Sequence, residues 1–212
     1  MALTTRDLPG LGPVIPVIVI EREADALPMA RALLAGGVRV LEITMRTPAA
    51  LPAIEAIAKA LPEAIVGAGT VLNTDDARRA QAAGALFAVS PGYTHAVGEA
   101  CRALALPLLP GVATSGEIMA ALQDGYDFLK LFPAQAVGGL GLLKAWASPF
   151  GAVSFCPTGG ITTQSAADYL ALPNVRCVGG SWLTPVEAVR AGDWARISAL
   201  AQATHALKNQ VK

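Results

Sequence analysis

The sequence predicts an α/β fold, a single (β/α)8 TIM barrel over residues 1–212 with a short N-terminal extension, on three observations. Short β-branched apolar runs alternate with Ala/Leu-rich segments of helical period. Eight such units follow one another, about 26 residues each, which is the pattern of parallel strands joined by helical crossovers. Apolar residues make up 53% of the chain and charged residues 15%, a composition that can bury enough surface to offset chain entropy. A doubly wound open sheet is the rival architecture, and eight units would make it large for this length. No low-complexity segment, charge run or linker divides the chain.

The predicted strands are Val14–Ile20, Arg39–Thr44, Ile65–Ala68, Leu86–Ser90, Pro107–Gly111, Phe128–Phe132, Val153–Pro157 and Val175–Val178. Each is a short run bounded by Gly, Pro, Ser or Thr. Helices are predicted over Ala24–Ala35, Pro48–Ala60, Thr74–Ala83, Thr94–Ala103, Ser115–Gln123, Gly139–Ala147 and Thr163–Leu170, with a last one over Asp193–Leu207. Asn73, Thr114 and Asp193 stand where an N-cap side chain is needed, and Gly36 and Gly84 stand where helices end. In such a barrel, functional residues belong at the C-terminal ends of the strands and in the loops after them.

Sixteen basic and sixteen acidic residues leave a formal net charge of zero. Bulk electrostatics therefore points to neither nucleic acid nor a membrane surface as partner. So little charge also suits an outside partly covered by other subunits. No stretch reaches the roughly 20 apolar residues that span a bilayer. The opening MALTTRDLPGLGP has no basic segment followed by an apolar one, so no secretory signal is expected. Cys101, Cys156 and Cys177 are odd in number and widely spaced, which suits buried thiols in a reducing cytoplasm. His95 and His205 fall in helical patterns without a ligand-like arrangement, so neither a metal nor a cofactor is expected. P-loop, dinucleotide and basic–aromatic patterns are absent as well.

Charge inside the strands locates the chemistry. Of the five lysines, Lys59 and Lys144 fall in helical patterns and Lys208 and Lys212 lie near the C-terminus. Only Lys130 is embedded in a strand, Phe128-Leu129-Lys130-Leu131-Phe132. Burying an ammonium is costly, and an amine kept neutral in an apolar site is a carbonyl nucleophile. A strand-end lysine that snorkels outward or pairs with a carboxylate is the bland alternative. In the second strand, period-two alternation puts Val38, Val40, Glu42, Thr44 and Arg46 on one face. If that face points inward, Glu42 and Arg46 look toward the barrel top together with Lys130. A purely structural ion pair would explain Glu42 too, although buried pairs are weak devices for stability. The three residues otherwise map onto one reaction. Lys130 attacks a keto group, Glu42 carries protons, and Arg46 holds an adjacent carboxylate.

Gly67-Ala68-Gly69-Thr70 ends the third strand, where small residues admit a ligand and Thr70 supplies a hydroxyl; a tight turn would need the same glycines. Thr158-Gly159-Gly160 follows strand seven and Gly179-Gly180-Ser181 follows strand eight. Glycines at this pair of positions let backbone N–H groups converge on a phosphate. One Gly-Gly alone is more often just a turn.

The residues quoted so far, with PVIPVIVI, AGGVRVLEITMRT, PEAIVGAGTVLN, FAVSPGYT, PLLPGVATSGEIM, FLKLFPAQ, PFGAVSFCPTGGI and CVGGSWL, cover nearly the whole chain. In that order they resemble the 2-keto-3-deoxy-6-phosphogluconate (KDPG) aldolases, a family of Schiff-base, class I lyases. The resemblance implies cleavage of that phosphorylated keto acid to pyruvate and glyceraldehyde 3-phosphate. It implies Lys130 as the Schiff-base lysine, Glu42 as general acid/base, and Arg46 and Thr70 at the pyruvate carboxylate. It further implies Gly159, Gly160, Gly180 and Ser181 at the phosphate, and a homotrimer that also cleaves 4-hydroxy-2-oxoglutarate (KHG). One departure is Gln135, where the family often carries Glu. Rival readings are an aldolase for the galactonate epimer or for KHG, a phosphosugar isomerase or synthase that needs no buried lysine, and a catalytically silent subunit.

Overall fold

The computed structural model describes residues 3–210, so Met1, Ala2, Val211 and Lys212 lie outside the described residues. Parallel strands alternate with helices along most of that span. The strands are β1 (Val14–Ile18), β2 (Val40–Thr44), β3 (Ile65–Gly69), β4 (Ala88–Val89), β5 (Leu108–Leu109), β6 (Gly111–Val112), β7 (Phe128–Leu131), β8 (Ser154–Pro157) and β9 (Val178–Gly180). The helices are α1 (Ala26–Ala35), α2 (Ala50–Ala60), α3 (Thr74–Ala82), α4 (His95–Ala103), α5 (Ser115–Gln123), α6 (Gly139–Trp146), α7 (Ala166–Leu170), α8 (Val186–Ala191) and α9 (Trp194–Ala203). No helix among them is long and apolar enough to cross a membrane.

A six-stranded parallel sheet runs in the order β5-β4-β3-β2-β1-β9, and a three-stranded one runs β6-β7-β8. Strand order follows chain order with no reversal, and β1 pairs with β9 through Val14↔Val178, Ile15↔Gly179 and Pro16↔Gly180. A doubly wound sheet needs an order reversal, so that rival fails. Isolated bridges Phe155↔Val175 and Thr158↔Gly179 lie between β8 and the β9 region.

Beyond shifts of one or two residues at strand ends, two predicted strands differ. The fifth is split at Pro110, which has no N–H to give to a ladder; its carbonyl still accepts from Lys130 N–H at 2.8 Å. The eighth begins three residues later than Val175 and runs through Gly179-Gly180. Glycine has no strand propensity of its own, and here the ladder with β1 imposes the extended form. At the start of β9, Val178 N–H donates to Pro13 O at 2.9 Å.

Alternation along the strands sorts side chains into two layers. Leu41 and Ile43 of β2 and Leu129 and Leu131 of β7 pack outward against helix residues such as Leu33, Ile54, Ile57 and Leu143. Val40 and Phe128 face inward with Ile15, Phe87, Val89, Leu109, Cys156 and Cys177. Leu8 joins this inner cluster from a 3-10 helix, Thr5–Leu11, the N-terminal extension read from the sequence. Two residues further along each strand, period two puts Glu42 above Val40 and Lys130 above Phe128. The inner face is thus apolar toward the strands' N-terminal ends and charged toward their C-terminal ends.

Helix ends follow the sequence. Asn73, Thr114 and Asp193 side chains accept hydrogen bonds from Asp76, Glu117 and Arg196 N–H groups. At α5 the cap is reciprocal, since Glu117 Oε2 accepts from Thr114 N–H at 2.9 Å. Thr114→Ala should therefore cost about 1 kcal/mol. Thermal unfolding should register it as a Tm drop of roughly 2–4 °C. An unchanged Tm would show that the cap carries no net stability. α8 was not expected; Pro185 at its entry and Gly192 at φ +67° after its end are the signals that mark it. The three cysteines are buried thiols. Burial pushes the Cys101 thiol up to about 11 against the opposing pull of Arg102.

Candidate active site

Register places the two inward charges. Glu42 of β2 lies opposite Val17 of β1 and Gly67 of β3, and Lys130 of β7 lies opposite Gly111 and Cys156. Strand curvature then brings residues 88 positions apart into contact: Lys130 Nζ donates to Glu42 Oε1 at 3.3 Å. Both side chains are almost fully buried, 4% and 3% exposed. The pair cannot be a surface ornament, and its desolvation cancels much of its attraction. The Phe132 ring lies 5.2 Å from Nζ, a cation–π neighbour that also walls the amine from water.

Gly69 is glycine because Glu42 lies across it. A Cβ there would overlap the Glu42 carboxylate. The next residue, Thr70, has φ +62°, a left-handed conformation rare for a β-branched residue. That turn carries the Thr70 hydroxyl to Arg46, whose Nε–H donates to Oγ1 at 3.0 Å. Met45 N–H donates to Gly69 O at 2.8 Å and ties the two strand ends together. Four of the sequence-predicted residues thus form two direct pairs, Lys130–Glu42 and Arg46–Thr70, joined through Gly69. Arg46 is exposed, as a group meant to meet an incoming anion must be.

The glycine loops lie beside this centre. The bridge Thr158↔Gly179 sets the loop after β8 next to β9. Gly159 and Gly160 have φ +98° and +79°, so their N–H groups turn in a way other residues resist. Ala134 and Gln135 N–H groups donate to Thr158 O and Gly159 O at 2.8 and 3.0 Å. The segment after the lysine strand is thereby stapled to the Gly159–Gly160 loop. Gln135 itself covers Gly160, where a Cβ would overlap its amide, so its influence falls on this loop. Gly180 faces the Trp182 ring, which leaves no room for a side chain. Ser181 lines a cavity of about 620 Å³ together with Val17 and Val19 of the β1 end. A second cavity, about 480 Å³, lies near Arg6 and Cys101 and contains none of these residues.

Sequence reasoning missed Phe132 as a neighbour of the amine, Thr158 beneath the loop and Val17 at the level of Glu42. The last was legible, since period two puts Val17 on the same face as Ile15 of the inner cluster. His95 has acidic company the sequence did not reveal. Its Nδ1 lies 2.9 Å from Asp124, whose carboxyl is held low by hydrogen bonds from Tyr93 and His95. This group joins α4 to the end of α5, away from the residues above.

The comparisons agree with one another. A family model described as aldolase, KDPG and KHG aldolase, matches residues 9–200. The KHG/KDPG aldolase of Escherichia coli (strain K12) is 53% identical over 191 residues, 90% of either chain. A KDPG aldolase from Legionella pneumophila, with pyruvate captured as a covalent carbinolamine intermediate, superposes with a TM-score of 0.91. It is 48% identical, covering 93% of this chain and 96% of its own. The Zymomonas mobilis ZM4 aldolase with 3-phosphoglycerate has a TM-score of 0.91 and 51% identity, covering 95% of each chain.

Proposed function

Since the chain belongs to the KDPG and KHG aldolase family, we propose that it is a class I aldolase that cleaves KDPG to pyruvate and glyceraldehyde 3-phosphate. The observation that carries this is the buried contact of 3.3 Å between Lys130 Nζ and Glu42 Oε1. It joins a nucleophilic amine to a proton carrier in a site shielded from water. The same pair argues against an isomerase or a silent subunit, neither of which needs an interior lysine.

Each step then has a named group. Nζ of Lys130 attacks the C2 carbonyl of the keto acid, forming a carbinolamine, and Glu42 protonates the departing hydroxyl to leave the imine. Glu42 next takes the proton of the C4 hydroxyl. The C3–C4 bond breaks, its electron pair enters the imine, and the aldehyde leaves. The enamine is protonated at C3, and water releases pyruvate and the free amine. Arg46 binds the carboxylate through its guanidinium fork, with Thr70 orienting it. Gly159, Gly160, Gly180 and Ser181 receive the phosphate, whose binding energy positions a carbon that it does not touch. The imine serves as electron sink, so this route calls on no cofactor.

Cleavage of KHG is the second activity, favoured by the bifunctional name of the Escherichia coli relative. Further parts of the reading concern the whole molecule. The two sheets are segments of one closed (β/α)8 barrel in a single domain, a reading supported by the β1–β9 pairing and by the bridges between β8 and β9. The protein is a cytoplasmic homotrimer, and exposed Leu72, Met119 and Leu122 are apolar surface that suits subunit contact.

Borohydride added in the presence of pyruvate tests the proposal. One reduced pyruvyl group should appear by mass spectrometry, on the peptide that contains Lys130, with loss of activity. Label on Lys59 or Lys144 would overturn the assignment.

A further inference from the structure

The cavity of about 620 Å³ that Ser181 lines lies between the end of β1 and α8. Its lining includes Val17, which pairs with Glu42 in register. Its rim carries two arginines, Arg22 from the loop after β1 and Arg190 from α8. They are held differently. Arg22 makes two hydrogen bonds of 2.8 Å to Asp25, through Nε and a terminal nitrogen, and Asp25 is buried. One edge of that fork is committed to the buried carboxylate. Arg190 reaches one carboxylate, Glu21, at 3.7 Å, and both side chains are largely exposed, 71% and 63%. A loose exposed pair of this kind is worth roughly 0–1 kcal/mol, so its partner can be exchanged at little cost.

Resting on the aldolase reading above, we infer that Arg190 is a specificity-determining residue that leaves Glu21 and closes on the terminal phosphate of the substrate. Ser181 and the glycine loops supply neutral donors, but no positive charge. A dianion bound by neutral donors alone leaves its charge unbalanced. Arg190 lines the same cavity as Ser181, with a planar fork matched to phosphate oxygens. Arg22 is anchored on one edge by a buried carboxylate, so carrying its guanidinium onto the phosphate is the costlier exchange. The reaction centre is untouched by the exchange, so the effect falls on recognition of the phosphorylated end.

The test is calorimetric titration with 3-phosphoglycerate and, in parallel, with glycerate, which lacks the phosphate. Arg190→Ala should weaken 3-phosphoglycerate about 10-fold while moving glycerate less than about 2-fold. Arg190→Lys should fall between the two, since it keeps the charge and loses the fork. Glu21→Gln, which frees Arg190, should tighten 3-phosphoglycerate by roughly 2–3-fold. Equal affinity in the wild type and Arg190→Ala, an equal loss for both ligands, or no binding to the wild type overturns the inference. Cleavage assays on the wild type keep the two readings apart. If cleavage of KDPG is observed and Arg190 proves silent, the aldolase stands without this residue. If it is absent but 3-phosphoglycerate still depends on Arg190, the anion site stands without the aldolase.

Discussion

Lys130→Ala should reduce cleavage of KDPG to background, a loss on the order of 10⁴-fold or more, because among the described residues no other interior amine can form the imine. The same change should also destabilise the protein. Removing one member of a buried ion pair leaves the other without compensation, at a cost of about 3–5 kcal/mol. Activity alone would not separate chemistry from misfolding, so the second variant matters. Lys130→Met combined with Glu42→Leu replaces both charges with apolar groups in a layer already bounded by Phe128 and Val40. Its Tm should recover to within a few degrees of the wild type, or exceed it, while cleavage stays absent. Steady-state kinetics and thermal unfolding on these variants check both parts. A stable, active Lys130→Ala would end the Schiff-base assignment.

Glu42→Gln should lower kcat by roughly 10²–10⁴-fold with a smaller change in KM, since it keeps shape and hydrogen bonding but removes proton transfer. Among the described residues, Glu42 is the carboxylate in hydrogen-bond contact with Lys130. It is therefore asked to serve carbinolamine dehydration, C4 deprotonation and enamine protonation. Two rates read this out, cleavage of substrate and exchange of pyruvate methyl protons with deuterated water. Both should slow together. Normal exchange beside impaired cleavage would show that a different acid protonates the enamine.

Much of the fold is legible without coordinates because its signals are local. The α5 boundaries, the three N-caps and the position of Lys130 within a strand all depend on neighbours a few residues away. Where prediction and structure part, a distant partner decides. Gly179 and Gly180 become strand through pairing with Ile15 and Pro16. Pro110 splits a strand whose apolar run reads as continuous. α8 is a single short helix whose stability comes from packing against α9, and its few residues give no periodicity to detect.

The site divides along the same line. By itself the sequence determined which charged groups stand in strands and which of them share a face. Side-chain alternation is a property of one strand, so Glu42, Arg46 and Lys130 could be named from their own segments. It also marked Thr70 and the glycines, through residue type and position after a strand. Tertiary structure alone decided that Lys130 meets Glu42 rather than water, that Arg46 rests on Thr70, and that Gln135 covers the Gly160 loop. These contacts depend on how far the sheet curls and how neighbouring strands are staggered. Those quantities are set by the packing of the inner layer, from Leu8 and Phe87 to Cys177, which no single segment contains.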